Sequence, residues 1–107
     1  MSWQGLHTAR LYLALAAFAS VPAWAADANV EAGATIYGNY CSNCHGDELH
    51  NTSGGMTFDL RRLRPEDHDR FVNSVRDGKR QMPAWRGVLD QQKIEAIWAF
   101  IRAVVDR

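Results

Sequence analysis

The stretch Cys41-Ser42-Asn43-Cys44-His45 decides how this chain is read. It has the form C-x-x-C-H, the signature of c-type haem attachment. Two thiols three residues apart near a helix end can each form a thioether with one haem vinyl group. The residue that follows then turns its imidazole towards the iron. Three other uses of the same residues fit less well. A thioredoxin-like redox pair needs a βαβ setting, and no alternating strand pattern is present. A zinc site drawn from Cys41, Cys44, His45 and His50 lacks the span of roughly 12–15 residues that separates ligand pairs in a finger. A disulfide between Cys41 and Cys44 would close almost no loop and would not use His45.

Upstream, Arg10 is the only charged side chain before Asp27, and an apolar run from Leu11 to Val21 follows it. Pro22 and Ala23-Trp24-Ala25 then supply the small-residue pattern of a cleavage site. This predicts a secretory signal peptide over 1–25, cleaved after Ala25 or, as the alternative, after Ala26. The domain is then 26–107. The 107 residues carry 12 basic and 12 acidic side chains; removing Arg10 leaves 11 against 12, a net charge of −1. That balance gives no reason to invoke nucleic acid. No apolar run reaches the roughly 18 residues of a membrane span. A domain so small needs a staple beyond its own core, and only the Cys41–Cys44 motif offers one.

Three helices are predicted, at 28–42, 65–77 and 91–105. The first is capped by Asp27 or Asn29 and carries Val30, Gly33, Ile36, Tyr37, Tyr40 and Cys41 along one face. The second opens on Pro65, stops at Gly78 and has a stripe of His68, Phe71, Val72 and Val75. The third is capped by Asp90, with Ile94, Ile97, Trp98, Ile101 and Val104 as its stripe and Phe100 beside it. The connectors 46–63 and 78–89 are long for such a domain and are expected to wrap around something.

The sixth iron position separates electron transfer from gas or substrate chemistry. Met56, Met82, His50 and His68 are the candidates. Met82 precedes Pro83 in a loop that joins no helical stripe, so it is the expected ligand. Met56 follows His45 too closely along the chain to reach the opposite haem face and is assigned to packing. His50 reads as an exposed loop residue, and His68 as a surface or half-buried one.

Together, Gly33-x-x-x-Tyr37, Cys41-Ser42-Asn43-Cys44-His45-Gly46, Met82-Pro83-Ala84-Trp85 and Ala99-Phe100-Ile101 resemble a small class I cytochrome c of the bacterial periplasm. The resemblance implies an all-α small cytochrome c fold, three main helices and loops around one haem, with the last helix crossing the first at Gly33 under Phe100. Asn51 to Gly55 and Phe58 to Leu63 are similar to a narrower group that accompanies quinoprotein (PQQ-dependent) alcohol dehydrogenases. The reading is therefore a monomeric periplasmic electron carrier, not an enzyme. It would hold one covalent haem c through Cys41 and Cys44, ligated by His45 and Met82. A quinoprotein dehydrogenase would be the donor and a cytochrome or oxidase the acceptor. Arg61, Arg62 or the Trp85 indole is expected to meet a haem propionate. Tyr40, Leu60, Phe71, Val75, Trp85 and Ile94 should wall the pocket. Arg61, Arg62, Arg64 and Arg70 read as a solvated face interleaved with Glu66, Asp67 and Asp69, or as a steering patch. The alternatives are a haem c sensor or enzyme with an open sixth site, or a haem subunit of a larger dehydrogenase complex.

Overall fold

A computed structural model describes residues 22–107. Most of the expected signal peptide, 1–21, lies outside the described residues. Helix α1 spans Ala23–Tyr40, α2 Ser42–His45, α3 His68–Asp77 and α4 Gln91–Val105. Tight 3₁₀ turns occupy Asp47–Leu49, Leu60–Arg62 and Pro65–Asp67. Among the described residues the only β-type pairing is the bridge between Lys79 and Met82. The fold is all-α.

Helix α1 begins earlier than expected, with Pro22 at its N-cap and no side-chain cap. Ala23, Ala25, Ala26 and Ala28 are the best intrinsic helix formers, and they carry the helix back past Asp27 and Asn29. At its other end Cys41 (φ −115°, ψ −35°) separates α1 from the single turn α2. The segment expected as one helix over 65–77 divides. Pro65–Asp67 forms a 3₁₀ turn in which the Asp67 carboxylate accepts the Arg64 N–H at 2.9 Å, and α3 then runs to Gly78 (φ 78°). Helix α4 starts as expected, the Asp90 carboxylate accepting the Lys93 N–H at 2.8 Å.

Helices α1 and α4 cross at Gly33. A Cβ there would lie 1.8 Å from the Ala96 carbonyl oxygen and 3.0 Å from Phe100 Cβ. The absent side chain is what lets the two backbones touch, and the Phe100 ring packs against Tyr37 at 5.2 Å. The crossing buries Ala96 and leaves Trp98 only half-buried, so the α4 stripe is rotated slightly from the one read in the sequence. The core also takes Leu49, Leu63 and Leu89 from the connectors. Leu49 is wholly buried although its φ is +69°. Burying a leucine contributes about 1.5–3 kcal/mol, enough to offset a left-handed cost of about 1–2 kcal/mol.

Candidate haem site

The Cys41–His45 motif sits where α1 gives way to α2. Both cysteines are free thiols, Cys41 half-buried and Cys44 exposed. Burial, helped by neighbouring Cys44, pushes the Cys41 thiol up to about 11, so it is neutral at ordinary pH. Gly46 follows the motif at φ 82°, where a Cβ would fall 1.7 Å from the His50 carbonyl oxygen. The buried Tyr37 hydroxyl donates to the Gly46 carbonyl at 2.6 Å. Desolvation in that position pushes the phenol up to about 12.

His45 is half-buried, and its Nδ1 lies 3.2 Å from the Phe58 carbonyl oxygen. A carbonyl only accepts, so Nδ1 carries the proton and Nε2 keeps its lone pair. That is the tautomer of a metal-bound imidazole, with its second nitrogen held by a backbone acceptor. Burial also pushes the His45 pKa down, against the upward pull of the Phe58 carbonyl, which favours the neutral ring. Phe58 is placed by a loop that is tied to itself. Asn51 Nδ2 donates to the Thr57 carbonyl at 2.6 Å, and the Ser53 hydroxyl lies 2.5 Å from Asn51 Oδ1 and 2.8 Å from Thr57 Oγ1. Thr57 Oγ1 in turn donates to the Cys44 carbonyl at 3.2 Å. The loop therefore grips the motif at both Cys44 and His45.

Met82 is half-buried against the same core that receives Cys41, Leu60 and Trp85. Its backbone is pinned in both directions: Lys79 N–H donates to the Met82 carbonyl at 3.1 Å, and Met82 N–H to the Lys79 carbonyl at 3.0 Å. Trp85 N–H donates to the Val75 carbonyl at 2.8 Å, which fastens the loop to α3. The Trp85 ring meets Tyr40 edge to face at 5.4 Å, so the Met82 loop touches the residue preceding Cys41. Donors of this kind fit haem c: two thiols, a neutral imidazole and a soft thioether. Among the described residues no three His, Cys, Asp or Glu side chains group as a metal site, so the zinc set is not assembled.

Of the expected pocket walls, Phe71, Val75 and Ile94 are buried, Leu60 and Trp85 half-buried, and Tyr40 is 41% exposed. Met56, assigned to packing, is 79% exposed at the tip of the Gly54-Gly55 turn, where neither glycine has a neighbour for a side chain to pack on. His50 is exposed, as expected. His68 bridges α3 and α4, its Nε2 2.8 Å from Glu95. Arg61 is held bidentate by Asp59, at 3.0 and 2.9 Å. The Phe58 carbonyl and the Asn51–Ser53–Thr57 tie were not read from the sequence. The turn-forming run Asn51 to Gly55 was the only signal for them.

Helices crossing at a glycine beside an oriented imidazole and two free thiols are the architecture of a small cytochrome c domain. The chain belongs to the cytochrome c family: residues 28–101 match the family model described as cytochrome C oxidase, cbb3-type, subunit III. That membership makes it a haem c electron-transfer domain. It is 37% identical over 76 residues to the quinohemoprotein alcohol dehydrogenase ADH-IIG of Pseudomonas putida, a match covering 69% of this chain and 10% of that protein. It is 35% identical over 85 residues to cytochrome c550 of Pseudomonas aeruginosa, covering 73% of this chain and 57% of that one. Cytochrome c6 of Euglena viridis is 29% identical over 79 residues, 64% of this chain and 85% of its own. The chain thus spans about a tenth of the dehydrogenase and just over half of cytochrome c550. No solved structure matches the chain with comparable significance.

Proposed function

We propose that the chain is a periplasmic electron carrier, exported by a leader of residues 1–25 and carrying one covalent haem c. Cys41 and Cys44 would supply the thioethers, His45 Nε2 and the Met82 sulfur the axial ligands. Bound haem c supplies an iron that alternates between ferric and ferrous states. The chain's residues fix how readily it does so. Phe58 orients His45, and burial favours its neutral ring. Met82 offers a soft, uncharged sulfur that favours the ferrous state and raises the potential. Its Lys79 bridge and the Val75–Trp85 bond keep that sulfur from wandering. With Arg61 already engaged by Asp59, Arg62 and the Trp85 indole are the freer of the three proposed propionate contacts.

The observation that carries this reading is the His45–Phe58 bond, which leaves Nε2 bare immediately beside two free thiols. Similarity to quinohemoprotein alcohol dehydrogenases supports a quinoprotein dehydrogenase as donor. The oxidase-subunit description of the family supports a cytochrome or oxidase as acceptor. No helix among the described residues is long and apolar enough to cross a membrane, in keeping with a carrier free of the bilayer.

Absorption spectra of the oxidised and reduced holoprotein test the ligation. Wild type is expected to be low-spin, with a sulfur-to-iron charge-transfer band, and to bind carbon monoxide poorly. Met82→Ala should lose the band, become partly high-spin, bind carbon monoxide and have a lower potential. Met56→Leu should change none of these. If wild type binds carbon monoxide readily and Met82→Ala alters neither spectrum nor potential, a sensor or enzyme with an open sixth site replaces the carrier. A second reading, a haem subunit of a larger dehydrogenase assembly, is favoured by the placement of the matching segment inside much longer dehydrogenases. Gel filtration of a periplasmic extract separates it from a free monomer.

A further inference from the structure

Between Asn51 and Phe58 the chain has little packing to hold it. Gly54 and Gly55 sit at φ 67° and 92° with open space around both. Met56 is 79% exposed, the Phe58 ring is 47% exposed, and neither belongs to the apolar core. Yet the Phe58 carbonyl meets His45 Nδ1 at 3.2 Å. The side chains of Asn51, Ser53 and Thr57 hold it there in place of core packing.

Hydroxyl protons are the scarce resource in that tie. Asn51 Nδ2 donates to the Thr57 carbonyl at 2.6 Å, so its Oδ1 is the acceptor that faces Ser53. The Ser53 hydroxyl therefore gives its one proton to Oδ1, at 2.5 Å. Its oxygen is left to accept, and the Thr57 N–H donates to it at 3.0 Å. The Thr57 hydroxyl also has one proton, with two acceptors in reach: Ser53 Oγ at 2.8 Å and the Cys44 carbonyl at 3.2 Å. That carbonyl lies in the single turn α2, too close to its end to receive a helical N–H. Thr57 thus joins the tie directly to the haem-binding motif. Residues 57 and 58 hold residues 44 and 45 on two rungs, a hydroxyl against Cys44 and a carbonyl against His45.

We propose that Thr57 is a positioning residue for the axial imidazole and, through it, sets the reduction potential. The proposal rests on the carrier reading above. A firm acceptor at Nδ1 makes an imidazole more basic towards its metal, which favours ferric iron. Thr57→Val keeps the shape of the side chain and removes the hydroxyl. The Phe58 carbonyl is then less firmly held, its bond to Nδ1 weakens, and the potential rises. The expected shift is about threefold in the ferric–ferrous equilibrium constant, or about 28 mV at about 59 mV per factor of ten. The test is a spectroelectrochemical titration of the holoprotein, paired with the His45 Nδ1–H proton resonance of the reduced form. Thr57→Val should raise the potential and speed exchange of that proton with solvent. Thr57→Ala, which also lacks the hydroxyl, should do the same. Thr57→Ser restores the hydroxyl and should match wild type in both readouts, as should Met56→Leu in the same loop. A potential and a proton that stay put in Thr57→Val and Thr57→Ala, a potential that falls, or an equal shift in Thr57→Ser would each overturn the proposal. A wild type without a low-spin haem spectrum overturns the carrier reading and takes the proposal with it. A low-spin wild type with unmoved Thr57 variants overturns the proposal alone.

Discussion

Tyr37 is 2% exposed, and its hydroxyl closes a bond to the Gly46 carbonyl just past the haem-binding motif. Tyr37→Phe keeps the ring packing and leaves that buried carbonyl without its partner. The expected cost is about 1–3 kcal/mol, read as a lower denaturant midpoint of the holoprotein. An unchanged midpoint would show that the hydroxyl carries no structural load. His45 was legible in the sequence because cysteine spacing fixes its neighbours. Phe58 was not, because the group that matters there is a backbone carbonyl, and a carbonyl leaves no mark on a side-chain pattern. Met56 escaped for a different reason: a single methionine between turn residues carries no periodicity to say whether it is covered. Leu49 adopts a backbone conformation that leucine seldom takes, so no local rule points to it as core.

Between elements, the closest approach is Gly33 against Ala96. Gly33→Ala puts a methyl carbon inside the α4 backbone, so the helices must separate. About 3 kcal/mol of stability should be lost, and a thermal melt within a degree or two of wild type would mean that the crossing can relax. The other link between helices is electrostatic. Both ring nitrogens of His68 face carboxylates, Glu95 at 2.8 Å and Asp69 at 3.1 Å, while the ring rests edge-on against Trp98. Two carboxylates favour two donors and hence the cationic ring, and the Glu95 and Asp69 hydrogen bonds raise its pKa above the ordinary 6.5. A raised folded-state pKa adds stability that is complete below the ordinary value and lost as pH climbs through the folded one. The pair is more than a third exposed on the Glu95 side, which limits its worth to about 0.5 kcal/mol. His68→Gln should therefore lower the melting temperature more below pH 6.5 than in alkaline buffer; the reverse order would contradict the pairing. Helices α3 and α4 were read well because Gly78 and Asp90 mark their ends. The start of α1 was not, since a run of alanines continues a helix without needing the cap that Asp27 seemed to offer.

At the scale of the molecule, the connectors matter as much as the helices. Leu49, Leu63 and Leu89 bring them into the core, and Arg102 anchors one of them by donating to the Leu63 carbonyl at 2.5 Å while covering the Trp98 ring at 5.4 Å. Eighty-two residues bury a smaller share of their surface than a larger domain does, and here part of that surface faces the proposed prosthetic group. Cys41→Ala/Cys44→Ala is expected to abolish haem retention after acid-acetone extraction and to reduce helical circular dichroism strongly. A cooperative, fully helical apoprotein would show that the polypeptide needs no staple. The connectors' length marked them in the sequence as more than simple turns, but which of their leucines turn inward depends on packing between distant segments, which no local pattern encodes.

The tryptophans have an optical consequence. If the leader is cut after Ala25, Trp3 and Trp24 leave with it, and two indoles remain. Trp85 stands on the methionine loop against Tyr40, and Trp98 between His68, Phe71 and Arg102 at the junction of α3 and α4. The mature chain thus carries one fluorophore on the loop that holds the proposed ligand and one at the seam of two helices. Emission from single-tryptophan variants would time the opening of each region separately, without any added dye.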